Sequence, residues 1–158
     1  MKYADDFAVG QTFDLGSHEV TSEEIIEFAS KYDPQAYHLS EEAGAKSFFG
    51  GLVASGWNAA SIWMKLYVTS LLQDSAVEGS PGVDELRWLS PVRPGDVLHG
   101  KVEVIGSVPS LSDPAVVTLR KKGALYRDDP ARPVCTLILN SRFRVRSKEP
   151  RGGAMARA

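Results

Sequence analysis

The stretch Phe48-Phe49-Gly50-Gly51-Leu52-Val53-Ala54-Ser55-Gly56-Trp57, continued by Asn58-Ala59-Ala60-Ser61-Ile62-Trp63-Met64-Lys65-Leu66-Tyr67 and on to Leu72, decides the architecture. It passes from a glycine-rich loop into an apolar helix, expected from about Val53, along which Val53, Trp57, Ala60, Met64, Tyr67 and Leu71 recur every three or four residues. Ile62, Trp63, Leu66 and Val68 carry the apolar surface well round the cylinder, so this helix needs to be wrapped by other structure. Asn58, Lys65 and several hydroxyl residues interrupt it, which argues for a buried helix and against a membrane span.

The wrapping is expected from the second half of the chain. Leu98, Val102 and Val104 alternate with His99, Lys101, Glu103 and Ile105, the period of a strand with one buried and one wet face. Val117 and Leu119 repeat the pattern. In the last strand Cys135, Leu137, Leu139, Phe143 and Val145 share one face, while Thr136, Asn140, Arg142 and Arg144 occupy the other. Pro81-Gly82, Pro91, Pro94-Gly95, Pro109, Pro114, Gly123 and the Pro130 to Pro133 segment punctuate these strands. One helix against mainly antiparallel strands is an α+β arrangement, a curved sheet wrapped around a long central helix. Residues 1–146 are expected to form a single domain, and 147–158, rich in Lys, Arg, Gly and Ala, a frayed tail.

Upstream of the central helix, Phe13, Leu15, Ser17 and Glu19 alternate with Asp14, Gly16, His18 and Val20, a strand reading. Thr21 and Glu24 have the spacing of a capping box, and Ile25, Ile26, Phe28 and Ala29 give one apolar face to a helix ending near Asp33-Pro34. Pro34 stops that helix inside Tyr32-Asp33-Pro34-Gln35-Ala36-Tyr37-His38 and turns Asp33 and His38 toward a common space. A carboxylate and an imidazole so placed can move protons on and off water. Free N–H groups at the start of the central helix would face the same space. The plain alternative is that Asp33 only closes a turn and His38 is an ordinary loop histidine. Ser40 can cap a second short helix, Glu41 to Lys46, whose Ala43, Gly44 and Ala45 suit close packing.

At 158 residues, with 43% hydrophobic and 9% aromatic content, the chain is about one domain long and can bury its own core. A formal net charge of -2 argues against the broad basic surface of nucleic-acid binders. Cys135 has no cysteine to pair with and reads as a buried core thiol. The segment Met1-Lys2-Tyr3-Ala4-Asp5-Asp6 lacks a secretory pattern, so a cytoplasmic protein free of membrane is expected. Gly50 and Gly51 lack the Lys-Ser/Thr of a phosphate-binding loop, and no strand leads into a GxGxxG, which argues against ATP and NAD. His18, His38 and His99 lie on separate elements, so no metal is expected.

In three elements the chain resembles the MaoC-like dehydratases, the family that includes the (R)-specific 2-enoyl-CoA hydratases. They are Asp33 and His38 separated by four residues; Phe49-Gly50-Gly51-Leu52-Val53-Ala54-Ser55-Gly56; and Ser90-Pro91-Val92-Arg93-Pro94-Gly95-Asp96. The resemblance implies a hot-dog fold and an acyl-CoA substrate, with no cofactor. It implies that Asp33 and His38 hold the water that adds to C3 of a trans-2-enoyl thioester, and that the Gly56 N–H binds the thioester oxygen as it becomes enolate-like. It further implies a homodimer or higher assembly, with acyl-CoA along the subunit interface. Many members carry Asn-Pro before the histidine, His before the glycine and Asp two residues beyond the histidine. Here Gln35-Ala36-Tyr37, Ser55 and Ser40 stand instead, which leaves the acid/base pair intact and bears on which acyl group is accepted.

On this reading Asp33, ionised, accepts a proton while His38 orients water or relays one. Ser55 either hydrogen-bonds the thioester end of the pocket or simply caps the helix, and Trp57 can line an acyl tunnel as well as pack. Arg87, Arg93, Arg142 and Arg144 are candidates for CoA phosphate contacts or, equally, solvated strand faces. Two other functions fit the same features: an acyl-CoA thioesterase, and a non-catalytic acyl-thioester binding subunit.

Overall fold

The structure is a computed structural model that describes residues 1–146. A 3-10 turn (Ala4–Asp6), strand β1 (Thr12–Glu19), helix α1 (Ser22–Tyr32), a second 3-10 turn (Ala36–His38) and helix α2 (Glu41–Ala45) lead to the central helix α3 (Gly56–Tyr67), which loosens into a π-helical turn over Val68–Leu72. Strands β2 (Val77–Trp88), β3 (Val97–Pro109), β4 (Val116–Tyr126) and β5 (Pro133–Arg144) follow. All five strands form one antiparallel sheet in the order β1-β3-β4-β5-β2, so β1 and β2 are its edges. The tail proposed for 147–158 lies outside the described residues. Among the described residues no helix is long and apolar enough to cross a membrane.

Helix and sheet meet through glycines. A Cβ on Gly123 of β4 would lie 2.4 Å from the Trp63 ring, and one on Gly100 of β3 would lie 3.0 Å from Leu66, so both strands expose bare backbone where α3 lies closest. Trp63, fully buried, donates its indole N–H to the Lys101 carbonyl at 3.1 Å and stacks on Tyr67. Replacing so large a buried side chain by Ala typically costs about 3–5 kcal/mol. The strands show the expected periods. Leu98, Val102 and Val104 of β3 face in, as do Cys135, Leu137, Leu139 and Phe143 of β5.

Four expectations need correction. The helix begins at Gly56, three residues later than expected, because Ser55 caps it with its hydroxyl on the Trp57 N–H while Leu52 to Ala54 stay non-helical. Its buried face is Asn58, Ala59, Ile62, Trp63, Leu66 and Tyr67; within the proposed stripe Trp57 (56% exposed) and Met64 (37%) point outward. In β1 the alternation breaks at a register shift between Asp14 and Gly16, where Gly16 takes φ +83°, so inward positions pass from Phe13 and Leu15 to His18 and Val20. An extra residue in one strand reverses every later side chain. The capping box is half made: Thr21 accepts the Glu24 N–H at 3.2 Å, but the Glu24 carboxylate turns to His18 Nε2 at 2.8 Å.

Strand β2 was not expected at all. Its twelve residues are mostly exposed, it contains Gly79, Pro81 and Gly82, and its register with β5 shifts three times. Those are properties of an edge, where pairing on one side suffices and Pro is tolerated.

Candidate active site

Three loop segments converge at the N-terminal end of α3. Asp33 is the C-cap of α1, its N–H on the Ala29 carbonyl at 2.9 Å, and Pro34 ends the helix there. The second 3-10 turn then brings His38 back, and the extended segment before α3 ties the parts together: Val53 N–H to the Tyr37 carbonyl at 3.3 Å, Ala54 N–H to the Val92 carbonyl at 2.8 Å. Helix α2 seats against the glycine loop so closely that a Cβ on Gly44 would meet Gly51 backbone at 2.5 Å. The Ser90 to Asp96 segment is a structural staple. Asp96 accepts the Arg93 N–H at 2.9 Å and pairs with Arg127 at 2.9 Å, and Gly95 turns with φ +86°.

These segments enclose a cleft of about 420 Å³ lined by, among others, Asp33, Gln35, Tyr37, His38, Ser55 and Gly56 on one side and Trp88, Leu89, Val92 and Val134 on the other. His38 is buried, and its Nδ1 lies 2.7 Å from the Val53 carbonyl oxygen. A carbonyl can only accept, so Nδ1 carries the hydrogen and Nε2 faces the cleft side, 3.3 Å from Asp33 Oδ2. Asp33 Oδ1 accepts from Gln35 Nε2 at 2.7 Å, and Oδ2 accepts from the Ser55 hydroxyl at 2.7 Å. Tyr37 donates in turn to Gln35 Oε1 and sets its ring edge-on to the imidazole. Burial pushes the Asp33 carboxyl up; the bonds from Gln35 and Ser55, joined by the charge of His38 when its imidazole is protonated, outweigh it and hold the group below its ordinary value.

Gly56 is the first residue of α3, and among the described residues its N–H meets no acceptor, whereas Trp57 N–H bonds Ser55 Oγ and Asn58 and Ala59 bond the Ser55 carbonyl. An unclaimed donor at the positive end of a helix, lining the cleft beside a carboxylate and an imidazole, can hold an oxygen on which negative charge develops. Ser55 both caps the helix and reaches Asp33, so neither of its two expected roles alone describes it.

The structure thus brings Asp33, His38, Ser55 and Gly56 together. Trp57 does not line the cleft; it points outward and meets the Trp88 ring edge-on at 5.2 Å. None of the four candidate arginines lines it either. Arg87 pairs with Glu85, Arg144 with Glu78, Arg142 is exposed, and Arg93 spends Nη2 on the Phe49 carbonyl at 2.6 Å, holding the glycine loop. Gln35 and Tyr37, which brace Asp33, and Trp88, which covers Gly56, were not singled out as site residues. Only Trp88 left a local trace, an aromatic just ahead of the Ser90-Pro91-Val92 turn. Among the described residues no three His, Cys, Asp or Glu side chains group as metal ligands.

The family model for the MaoC like domain matches residues 6–123. The chain is 30% identical over 115 residues to the uncharacterized protein YdeM of Bacillus subtilis, covering 73% of this chain and 82% of that one. It is 33% identical over 108 residues to a 3-hydroxybutyryl-CoA dehydratase of Methylorubrum extorquens, covering 68% and 66%. The crystal structure of a MaoC-like dehydratase from Rhodospirillum rubrum superposes with TM-score 0.84 at 37% identity, over 94% of this chain and all of that one, and the fold is the hot-dog fold. The chain belongs to the MaoC-like dehydratase family.

Proposed function

We propose that this protein adds water to a trans-2-enoyl-CoA, or removes it from the corresponding 3-hydroxyacyl-CoA, with (R) configuration at C3. The observation that carries the reading is the convergence of His38 Nε2, the Asp33 carboxylate and the free Gly56 N–H on one cleft.

The thioester oxygen sits on the Gly56 N–H, and a water lies between Asp33 and His38. Asp33, held ionised by Gln35 and Ser55, accepts one hydrogen bond from that water and fixes its direction. With Nδ1–H committed to Val53, the Nε2 lone pair takes the water proton as oxygen attacks C3, and the resulting imidazolium returns it to C2. Asp33 stabilises that cation at 3.3 Å, and Gly56 the enolate oxygen in between. The division of labour differs from the sequence expectation. A carboxylate already accepting two donors is a weak base, which moves the proton transfer to His38. Such acid/base help is worth roughly 10²- to 10⁴-fold. The step balances as one water added, its hydroxyl bonded to C3 and its proton to C2, with no net change of oxidation state, and so calls for no redox cofactor.

The assembly we propose is a homodimer or higher. Strand β2 is an edge with one row of backbone groups open, and Trp57, Trp88, Val83 and Leu89 leave apolar surface exposed beside it and at the cleft mouth. Light scattering on the purified protein tests this, a monomer overturning it. We place the enzyme in the cytoplasm, the reading that fits a CoA substrate.

The test of the reaction is an absorbance screen at the enoyl-thioester band across a panel of acyl-CoAs, with chiral analysis of the product. Loss of the band with formation of (R)-3-hydroxyacyl-CoA is expected. Release of free CoA from a saturated thioester would instead make the protein a thioesterase, and binding of crotonyl-CoA without loss of the band a non-catalytic subunit.

A further inference from the structure

We propose that Trp88 is a specificity-determining residue that restricts the enzyme to acyl thioesters unbranched at C2; this rests on the hydratase reading above. A Cβ built on Gly56 would fall 2.3 Å from the Trp88 ring, so the indole rests in van der Waals contact with the Gly56 Cα. That Cα is one bond from the N–H assigned to the thioester oxygen. An oxygen at hydrogen-bonding distance, roughly 2.7–3.1 Å from that nitrogen, carries C1 and then C2 along the same ring. The indole therefore flanks the carbon next to the thioester and not the far end of the acyl chain. It limits width before it limits length.

The ring is held there. Trp88 ends β2 in register with Cys135, the following Leu89 N–H bonds the Val134 carbonyl at 2.8 Å, and the Trp57 ring buttresses the indole from outside at 75°. The cleft wall made by Val92 and Val134 is buried and fixed by the core. Asp33 and His38 occupy the position needed to act at C3 and C2. A methyl group on C2 would then be directed at the indole face, the side of the cleft that Trp88 forms. Gly56 and Trp88 form a matched pair: the missing side chain at one position is the space taken by the other.

The experiment compares kcat/KM for hydration of crotonyl-CoA with that for (E)-2-methylbut-2-enoyl-CoA, in the wild-type protein and in Trp88→Ala. The unbranched substrate is expected to be preferred by at least tenfold in the wild type, since one methylene-sized group in a pocket is worth roughly 10- to 200-fold. Trp88→Ala is expected to shrink that preference by tenfold or more. Both substrates are assayed on one preparation, so the ratio is independent of the fraction of folded enzyme. Should Trp88→Ala not be recovered folded, Trp88→Phe is expected to move the ratio in the same direction by less. A wild type that turns over both substrates equally, or a ratio unchanged by substitution, overturns the role of Trp88 while leaving hydration standing. A wild type that hydrates neither thioester overturns the reaction itself, and the role of Trp88 with it.

Discussion

His38 and Lys121 are both ionisable and both buried, His38 by the segment that leads into α3 and Lys121 against Tyr67 at the end of α3, yet their surroundings differ. His38 has a carbonyl on one nitrogen and a carboxylate beside the other, and it opens on a cleft. Lys121, on the inward face of β4, is wholly enclosed. Its Nζ donates to the Tyr67 hydroxyl at 2.6 Å and lies over the rings of Phe143 (4.0 Å) and Phe7 (4.8 Å), and among the described residues no carboxylate pairs with it. Burial lowers the Lys121 ammonium to about 7 and raises the Tyr67 phenol to about 12, the Ser141 hydroxyl working against the latter. One buried group is supplied with the partners that let it exchange a proton. The other is enclosed without such partners, and its charged form is disfavoured. Burial alone does not mark a functional group; a facing partner and access to a cavity do.

The sharpest way to break this contrast is at the cleft. His38→Ala is expected to lower hydration of crotonyl-CoA by about 10²-fold or more with an unchanged circular-dichroism spectrum. Ser55→Ala removes one donor to Asp33, a loss of roughly tenfold in kcat/KM, together with about 1 kcal/mol of helix cap. Because that donor lowers the Asp33 carboxyl, the acid limb of the kcat/KM profile is expected to move to higher pH in the variant. A limb that stays in place means Ser55 is only a cap.

On the other side of the comparison, Lys121 affects stability and not turnover. Its folded-state value lies below the ordinary 10.5, so between about 7 and 10.5 the native protein holds fewer protons than the unfolded chain. Stability then rises with pH across that window and is flat below it. Lys121→Met is expected to remove the slope and to raise Tm at neutral pH, each kcal/mol being worth roughly 2–4 °C at this size. A Tm that falls by several degrees would show the amine to be a needed strut. The smallest effect concerns Cys135, fully buried, with its thiol pushed up to about 11 by burial. It is expected to resist thiol reagents in the native protein and to label only on unfolding, as mass spectrometry would read.

Local signals in the sequence reached the parts of the molecule whose cause is local. The Pro34 stop, the Ser40 and Thr21 caps and the alternation in β3 and β5 are each decided within a few residues, and the structure shows each of them. The bulge at Gly16, the edge strand β2 and the inward lysine are decided by partners far along the chain. In Arg120-Lys121-Lys122 nothing distinguishes the middle residue until Tyr67, Phe7 and Phe143 are placed around it. The same holds for the site: Asp33 and His38 were visible through their spacing, while Gln35 as the brace of Asp33 and Trp88 over Gly56 depend on how the loops close.

The central claim is that Asp33 and His38 act on a single water at the mouth of α3. Its most direct test is hydration of crotonyl-CoA in ¹⁸O-labelled water by the wild type and by Asp33→Asn. We predict one labelled oxygen at C3 of the product for the wild type, and a rate at least about 10²-fold lower for a variant that remains folded. Equal rates in the two proteins, or label found in a released carboxylate with free CoA, would contradict it.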